Sequence, residues 1–504
     1  MIYEQINRAV GTVSGLSNGS DGSRLLNLYA SESVQPRQAT VPVMVRGAPG
    51  YKVAATSLSG NCKVLMSVDD PHYGNHLFIL TESHVEVYEA NFVTGALSLL
   101  IRFAYPNSYD VGTIPDNSPL RWATDGRYVL FITDEEIFGF DREKIQEHLG
   151  GKTTNPVWLS IVAPTPDDTS DSTDTEAWVD IVWADKYFIL AAKGGQMFNS
   201  ELGGITFNQL DFTRADYKPD GIVGLAVFSQ RLFVFGTRSI ERWSNRGLSE
   251  FPFIRDVSSS YDVGCYSRES ITTNEVTIHF LGSDGVYYSL SGGRLLKVSN
   301  DAVHRVFRKT VLSSPDHTFL AFQYTDEGHK FVTIHADIAD TGNAWVYDWS
   351  TQMWHERSAT KAQFISGVSL YRNRNYVIQA GSPNIYIKSL ESKLDFAGNE
   401  IVREMILPIV QHNQTRIRQS SFQIDIHYAG PVEDALKVDF AWSDDHKLTW
   451  QTREQVAWSP GRRTKWNNLG LVDSQGRNYR LRVTGANGEL AVLGAYVEGE
   501  LMAD

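Results

Sequence analysis

Seven segments of the chain share one pattern of apolar and polar positions. In each, an apolar, aromatic-rich run is followed by a polar or glycine-containing turn and then by a second alternating run. The first runs are centred, in chain order, on Phe78, Val129, Phe188, Phe233, Ile278, Val332 and Val377. Short runs of this kind, bounded by turn residues, predict seven β-hairpins.

The spacing of the hairpins predicts how they assemble. Successive centres lie 51, 59, 45, 45, 54 and 45 residues apart. Propeller blades recur at about 40 to 50 residues, because each four-stranded blade buries its faces only against its neighbours around a ring. We therefore predict an all-β protein in which residues 51–395 form one closed β-propeller of six or seven blades.

The two ends of the chain have different patterns. Residues 1–50 begin with a Gly-, Ser- and Asn-rich stretch and continue with extended-looking segments, which predicts an N-terminal arm laid on the domain that follows. From 396 to 504, alternating runs such as FQIDIHY and LKVDFAW predict a separate C-terminal β-sandwich-like domain.

Two finer predictions concern individual elements. Helix is scarce, and the one short helix that the pattern indicates is DREKIQEHLGG at 141–151, closed by Gly150 and Gly151. In the run QRLFVFG, Phe233 and Phe235 share one face of a strand because side chains alternate, and we predict that this face is buried.

Composition fits a folded protein with a large core. The chain has 504 residues, of which 42% are hydrophobic and 12% aromatic, enough for more than one domain. No run approaches the roughly 18 apolar residues of a membrane helix, and the N-terminal residues lack the pattern of a signal peptide. We expect synthesis in a cytoplasm and no membrane insertion.

Cys62 and Cys265, the two cysteines, are expected as buried thiols.

The net charge of −13 bears on nucleic-acid binding. It excludes a broad basic surface that grips DNA phosphates tightly, whereas a surface past which DNA slides would carry this sign. Many soluble proteins are mildly acidic, so the charge constrains the function without identifying it.

One cluster contains residue types that ligate zinc. Three histidines lie close together in sequence with three carboxylates nearby: His72, His76, His84, Asp69, Asp70 and Glu82. Their spacing matches no established zinc site. We interpret the histidines as solvated loop residues.

A second cluster is the polar, acidic segment 164–178. It carries five carboxylates that could gather a calcium ion: Asp167, Asp168, Asp171, Asp174 and Glu176. The segment lacks the glycine-punctuated spacing of a calcium loop, and repulsion between its carboxylates favours an extended, solvated loop. Such a loop would act as an acidic gate if it projected into a channel.

Two aromatic motifs are open to a structural or a carbohydrate-binding interpretation. Ser443, Asp445, Thr449 and Trp450 have the spacing of an Asp-box turn, with Lys447 where glycine is usual, and this motif stabilises hairpins. The second motif could form a platform for stacking sugars, but its alternation favours packing within a blade; it comprises Trp345, Tyr347, Trp349 and Trp354.

Motifs of common enzymes are not found in the sequence. It has no G-x-S-x-G elbow, no phosphate-binding loop, no dinucleotide-binding G-x-G-x-x-G, no H-E-x-x-H and no paired C-x-x-C. We predict a protein that is not an enzyme, with no catalytic, cofactor-binding or metal-binding residues and no cofactor.

Three segments resemble one protein family. The stretch PDGIVGLAVFSQRLFVFGTRSIERWSNRG, 219–247, is similar to a blade of the packaged-DNA-stabilisation proteins of short-tailed bacteriophages, also called tail hub or nozzle proteins. RLLNLYASES with the following RGAPG, and KWNNLGLVDSQGRNYRLRV near the C-terminus, resemble the opening and closing segments of that family. The acidic segment 164–178 and the acidic C-terminus EGELMAD depart from it.

The resemblance implies a structural role in a phage tail. Proteins of this family form a homohexameric ring below the portal and adaptor rings, which retains the packaged genome and conducts it during ejection. The resemblance implies that the partners are further copies of the chain, portal or adaptor proteins, and a tailspike, fibre or tail needle. Double-stranded DNA would pass through the lumen without tight binding, and assembly would occur in the cytoplasm of the bacterial host.

Two alternatives remain open at this point. One is a propeller that binds or cleaves carbohydrate, which would need two carboxylates facing one cleft. The other is a passive scaffold propeller in a bacterial envelope complex. The assembly state distinguishes them from a nozzle, because a nozzle must be a ring.

Overall fold

The computed structural model describes most of the chain. The described residues are 2–5, 23–32, 43–105, 120–133, 136–152, 158–166, 178–257, 259–274, 277–313, 319–336, 343–358, 365–411, 415–431, 436–473 and 475–502. Within these residues the chain forms 39 β-strands, two α-helices and one short 3-10 helix. No helix among them is long and apolar enough to cross a bilayer.

Five strands precede the first blade. They are β1 (Ile2–Gln5), β2 (Arg24–Leu26), β3 (Leu28–Glu32), β4 (Val43–Gly47) and β5 (Gly50–Thr56). β3 pairs with β4, and the other partners of these strands lie in the second half of the chain, so the strands depend on pairing between distant segments.

Seven antiparallel groups of strands follow, each from a repeat in the sequence. Blade 1 contains β6 (Cys62–Asp70), β7 (Gly74–Thr81), β8 (His84–Ala90) and β9 (Leu97–Ala104). Blade 2 contains β10 (Arg121–Thr124), β11 (Tyr128–Ile132) and β12 (Ile137–Asp141). Blade 3 contains β13 (Trp178–Ala184), β14 (Tyr187–Ala192), β15 (Gln196–Ser200) and β16 (Phe207–Arg214). Blade 4 contains β17 (Ile222–Phe228), β18 (Arg231–Gly236), β19 (Ile240–Asn245) and β20 (Phe253–Arg255).

The last three blades complete the ring. Blade 5 contains β21 (Thr272–Thr273), β22 (Ile278–Leu281), β23 (Tyr287–Ser291) and β24 (Arg294–Lys297). Blade 6 contains β25 (Phe319–Asp326), β26 (His329–Ala336), β27 (Asn343–Asp348) and β28 (Met353–Ser358). Blade 7 contains β29 (Ile365–Tyr371), β30 (Arg374–Gln379) and β31 (Asn384–Ser389), and β5 is its fourth strand. Because β5 comes from the start of the chain, it fastens the last blade beside the first.

This arrangement confirms the prediction of an all-β propeller with an additional sandwich, and the number of blades is seven. All seven predicted hairpin centres fall on the second strand of a blade. Both faces of a blade are covered by neighbours, which explains the continuous apolar runs. In β18, Phe233 and Phe235 pack toward blade 5, whereas Leu232 and Val234 pack toward blade 3. The predicted burial of Phe233 and Phe235 is confirmed.

The C-terminal strands form a sandwich with the N-terminal ones. They are β32 (Arg403–Ile406), β33 (Ile417–Ala429), β34 (Lys437–Ser443), β35 (Gln451–Thr452), β36 (Val456–Ala457), β37 (Thr464–Val472), β38 (Asn478–Thr484) and β39 (Glu489–Leu501). One sheet has the order β3-β4-β39-β33-β37, with β1 beside β39. The other continues blade 6 as β28-β2-β32-β38-β34, followed by β35 and β36. The predicted arm, 1–50, thus contributes strands to both sheets. The domain boundaries at 50 and 395 remain predictions.

Of the two α-helices in the described residues, the sequence predicted one and did not predict the other. Helix α1 (Arg142–Leu149) begins after Asp141, whose carboxylate accepts a hydrogen bond from the Glu143 amide, and it ends at Gly150 as predicted. Helix α2 (Asp301–Ser313) corrects the expectation of a single helix. Its buried Val303, Phe307 and Thr310 lie one turn apart, and Val303 and Phe307 pack between blades 5 and 6.

Candidate functional site

The centre of the propeller is crossed by ion pairs. A 3-10 helix, Arg268–Ser270, precedes the short first strand of blade 5. The Glu269 carboxylate accepts a hydrogen bond from Nη2 of Arg121, on the first strand of blade 2, at 2.6 Å. Blades 2 and 5 lie three positions apart in a ring of seven, so this pair spans the centre. At this level two side chains therefore bridge the centre of a single propeller.

A second ion pair holds the same 3-10 helix. Nε of Arg268 donates to Asp180, on the first strand of blade 3, and Asp180 is fully buried. The carboxylate also accepts a hydrogen bond from the Leu225 amide at 2.7 Å. Burial disfavours the charge of Arg268, but the attraction of Asp180 outweighs it, so the pKa of Arg268 lies above its ordinary value. The 3-10 helix is thus bound to blades 2 and 3, and Asp180 links it to blade 4.

The structure does not bring the three candidate zinc-binding histidines together. His72 is exposed in the turn between β6 and β7, and His76 follows on β7. His84 begins β8 at the opposite end of that strand pair, where its Nδ1 lies 2.8 Å from Ser83 Oγ. Burial, and then the charge of Arg142, lower the pKa of His76. A hairpin that separates its ends cannot gather these imidazoles around one ion.

The five carboxylates of the acidic segment, Asp167, Asp168, Asp171, Asp174 and Glu176, lie outside the described residues. Among the residues that are described, no group of three or more His, Cys, Asp or Glu side chains is arranged to hold a metal ion.

The Asp-box residues form the turn that their spacing indicates. Asp445 Oδ1 accepts from the Thr449 amide at 2.9 Å, and Oδ2 accepts from the Thr449 hydroxyl at 2.5 Å. Ser443 Oγ accepts from the Lys447 amide at 2.8 Å. The hydrogen bonds from Thr449 lower the pKa of Asp445 to about 2. Lys447 adopts a positive φ of 76°, the conformation that usually favours glycine at this place.

The aromatic residues considered as a sugar platform lie in the propeller core. Trp345, Tyr347 and Trp354 are buried between blades 5 and 6 against Phe307 of α2, and Trp349 packs beside them. The Trp354 indole donates to the Val298 carbonyl at 2.8 Å. The three buried rings have no free face for a sugar.

Both cysteines are free and buried, as predicted. Burial raises the pKa of Cys62 far above its ordinary value and that of Cys265 to about 12. These thiols stay protonated, so neither is an activated nucleophile.

A hydrogen-bonded series of Ser31, His329 and Asp348 has no signal in the sequence. His329 Nδ1 lies 2.6 Å from Asp348 Oδ2, and Nε2 lies 3.2 Å from Ser31 Oγ. The order of groups is that of a serine-hydrolase triad. All three residues are buried, and Asp348 also accepts from the Ser350 amide and the Thr351 hydroxyl at 2.9 Å. The series therefore joins strand β3 to blade 6.

Two solved structures share only a coarse similarity with this chain. The crystal structure of the mitotic checkpoint complex aligns over 68% of this chain and 95% of its own, at 11% identity and a TM-score of 0.40. That of the computationally designed Ika8 protein aligns over 68% of this chain and 100% of its own, at 11% identity and a TM-score of 0.38. A search of curated proteins found no match.

Family comparison is more informative. The matching family model is that of the phage stabilisation proteins, described as the β-propeller of bacteriophage P22 Gp10, and the match covers residues 107–385. These residues are more than half of the chain and include most of the propeller. The chain therefore belongs to this family of structural phage tail proteins.

Proposed function

We propose that copies of this chain form a ring-shaped, sixfold hub or nozzle in the phage tail, which retains packaged DNA and conducts it during ejection. The family supports a DNA-stabilising role in the tail. A seven-bladed propeller is suited to form part of a channel wall, because a ring of blades is stiff and leaves only short, protected sheet edges.

The ion pair across the centre of the propeller is the observation that carries this proposal. The Arg121–Glu269 and Arg268–Asp180 pairs cross or border the axis, so DNA has no path through one chain. A passage for DNA then has to lie between copies of the chain, and a closed ring is the arrangement that supplies one. The net charge of −13 suits a passage that does not hold phosphates tightly.

The proposed partners follow from this position in the tail. The ring would contact its own copies, a portal or adaptor ring on one side, and a tailspike, fibre or tail needle on the other. It would be assembled in the cytoplasm of the bacterial host. The carbohydrate-binding alternative loses its main support, because Trp345, Tyr347 and Trp354 pack in the core.

Electron microscopy of the purified protein and of the native particle tests the proposal. We expect a sixfold ring in the tail, with the propeller centres closed and DNA density, where present, in the lumen between subunits. A chain that is monomeric in solution and absent from the tail axis in particles would contradict it.

A further inference from the structure

One arginine of the sandwich has a guanidinium that makes no hydrogen bond or ion pair with the described residues. On strand β38, Arg480 and Arg482 point to the same side, and Leu481 between them packs into the core. Arg482 Nε donates to Glu404 at 2.5 Å. By contrast, the Arg480 guanidinium makes no hydrogen bond or ion pair with any residue that the structure describes.

The register of the sheet explains this difference. Arg482 stands between Glu404 on β32 and Asp439 on β34, so carboxylates flank it on both sides. Arg480 stands between Ile406 and Ala441 on the same two strands, and neither side chain can accept a hydrogen bond. Arg480 therefore keeps its donors available.

Trp450 fixes the position of the Arg480 guanidinium. Its ring lies 4.5 Å from the guanidinium carbon, within the range of a cation–π contact. Trp450 directly follows the Asp-box turn, whose hydrogen bonds from Thr449 to Asp445 set the path of the chain at this point. The Asp-box turn and the RNYRLRV strand are separated along the sequence, and the contact of Trp450 with Arg480 brings them together.

A small cavity opens beside these groups. Its volume is about 160 Å³, and Ala441, Thr452, Arg480 and Arg482 are among the residues that line it. Burial, and next the nearby charge of Arg482, lower the pKa of Arg480, while Glu404 opposes the shift. A bound anion would relieve both unfavourable effects.

We propose that Arg480, held against Trp450, binds a carboxylate side chain of a partner polypeptide. A guanidinium binds a planar carboxylate with two parallel hydrogen bonds, and this cavity has room for one such group. Asp439 and Glu404 beside Arg482 would repel the closely spaced phosphates of a stiff DNA duplex, whereas a flexible peptide can place one carboxylate in the cavity and turn its other charges away. That the partner is a neighbour in the tail rests on the proposed function; the binding of the carboxylate does not.

Fluorescence anisotropy of a labelled oligoglutamate peptide with the purified full-length chain tests the site at low salt. We expect Arg480→Gln to weaken binding at least tenfold and Arg480→Lys to weaken it less, because a charge remains without the planar fork. The matched control is Arg463→Gln, which removes the same charge from an exposed position in the same domain and should leave binding within twofold. Melting curves of all variants check that folding is intact.

A second set of measurements identifies the ligand class. Trp450→Ala, which keeps the charge of Arg480, should weaken peptide binding several-fold. Unlabelled duplex DNA and inorganic phosphate should compete poorly with the peptide. Equal losses for Arg480→Gln and Arg463→Gln, no measurable peptide binding, or better competition by DNA than by unlabelled peptide would each overturn the proposal. None of these results depends on whether the chain forms a ring.

Discussion

Nη2 of Arg121 and Oε1 of Glu269 lie 2.6 Å apart across the centre of the propeller, although 148 positions separate them in the sequence. This pair, with Arg268 and Asp180 beside it, ties blades 2, 3 and 5 together at the centre of the ring. The proposed passage for DNA between copies of the chain rests on this pair.

Breaking the central pair should destabilise the chain measurably. Glu269→Gln keeps the shape of the side chain but leaves the partly buried Arg121 without its counter-charge, which should cost about 1 to 3 kcal/mol of unfolding free energy. Urea unfolding measures this cost. The control is Glu143→Gln, whose pair with Arg127 is more exposed and should contribute under about 1 kcal/mol. Equal effects of the two variants would show that the central pair is not structural.

The blade 4 core offers a test of packing. Phe233 is buried against blade 5, so Phe233→Ala should cost about 3 to 5 kcal/mol and lower the yield of assembled particles. Phe92, which is 74% exposed, serves as the control, and Phe92→Ala should change the melting temperature little. Unchanged melting of the Phe233 variant would contradict the packing described for this blade.

A buried histidine predicts a loss of stability in mild acid. His279 is fully buried, its ring nitrogens have no hydrogen-bond partner, and burial lowers its pKa from 6.5 to about 4. Between these two values the unfolded chain takes up a proton that the folded chain does not, so stability falls as the pH falls.

His279→Leu removes this effect while keeping a similar volume. Relative to the variant, the wild type should lose about 3 kcal/mol between pH 6.5 and 4, and the difference should be constant above pH 7. Burial also lowers the pKa of His355, but His355 is present in both proteins, so its contribution to the pH dependence cancels. A difference that does not change with pH would contradict the assignment of a buried neutral imidazole.

The buried Ser31 should not react as a nucleophile. Although Ser31, His329 and Asp348 are within hydrogen-bond reach of one another, burial denies a substrate access to the hydroxyl. A fluorophosphonate probe incubated with the native chain should leave Ser31 unmodified in mass spectra. Stoichiometric labelling of Ser31, abolished by His329→Ala, would instead identify a hydrolase site.

The sequence predicted the repeated elements because their signals are local. Alternation and turn residues identified all seven hairpins, and the helical pattern closed by Gly150 and Gly151 identified α1. Helix α2 had a comparable local signal that was missed. The Asn300 side chain accepts from the Val303 amide at 2.9 Å, and apolar residues follow at helical spacing.

What could not be predicted depends on pairing between distant segments. The closure of blade 7 by β5 joins residues more than 300 positions apart, and no property of either strand specifies the other. The same holds for the Arg121–Glu269 pair and for the contact of Trp450 with Arg480. Residue types at these positions are unremarkable until the fold brings them together.

The amount of nuclease-protected DNA in particles assembled without this chain tests the central claim most directly. Heads should package the genome and then lose it, so that protected DNA per particle falls severalfold and is restored when the chain is supplied in trans. Particles that lack the chain and keep a full complement of protected DNA would contradict its role in retaining the genome.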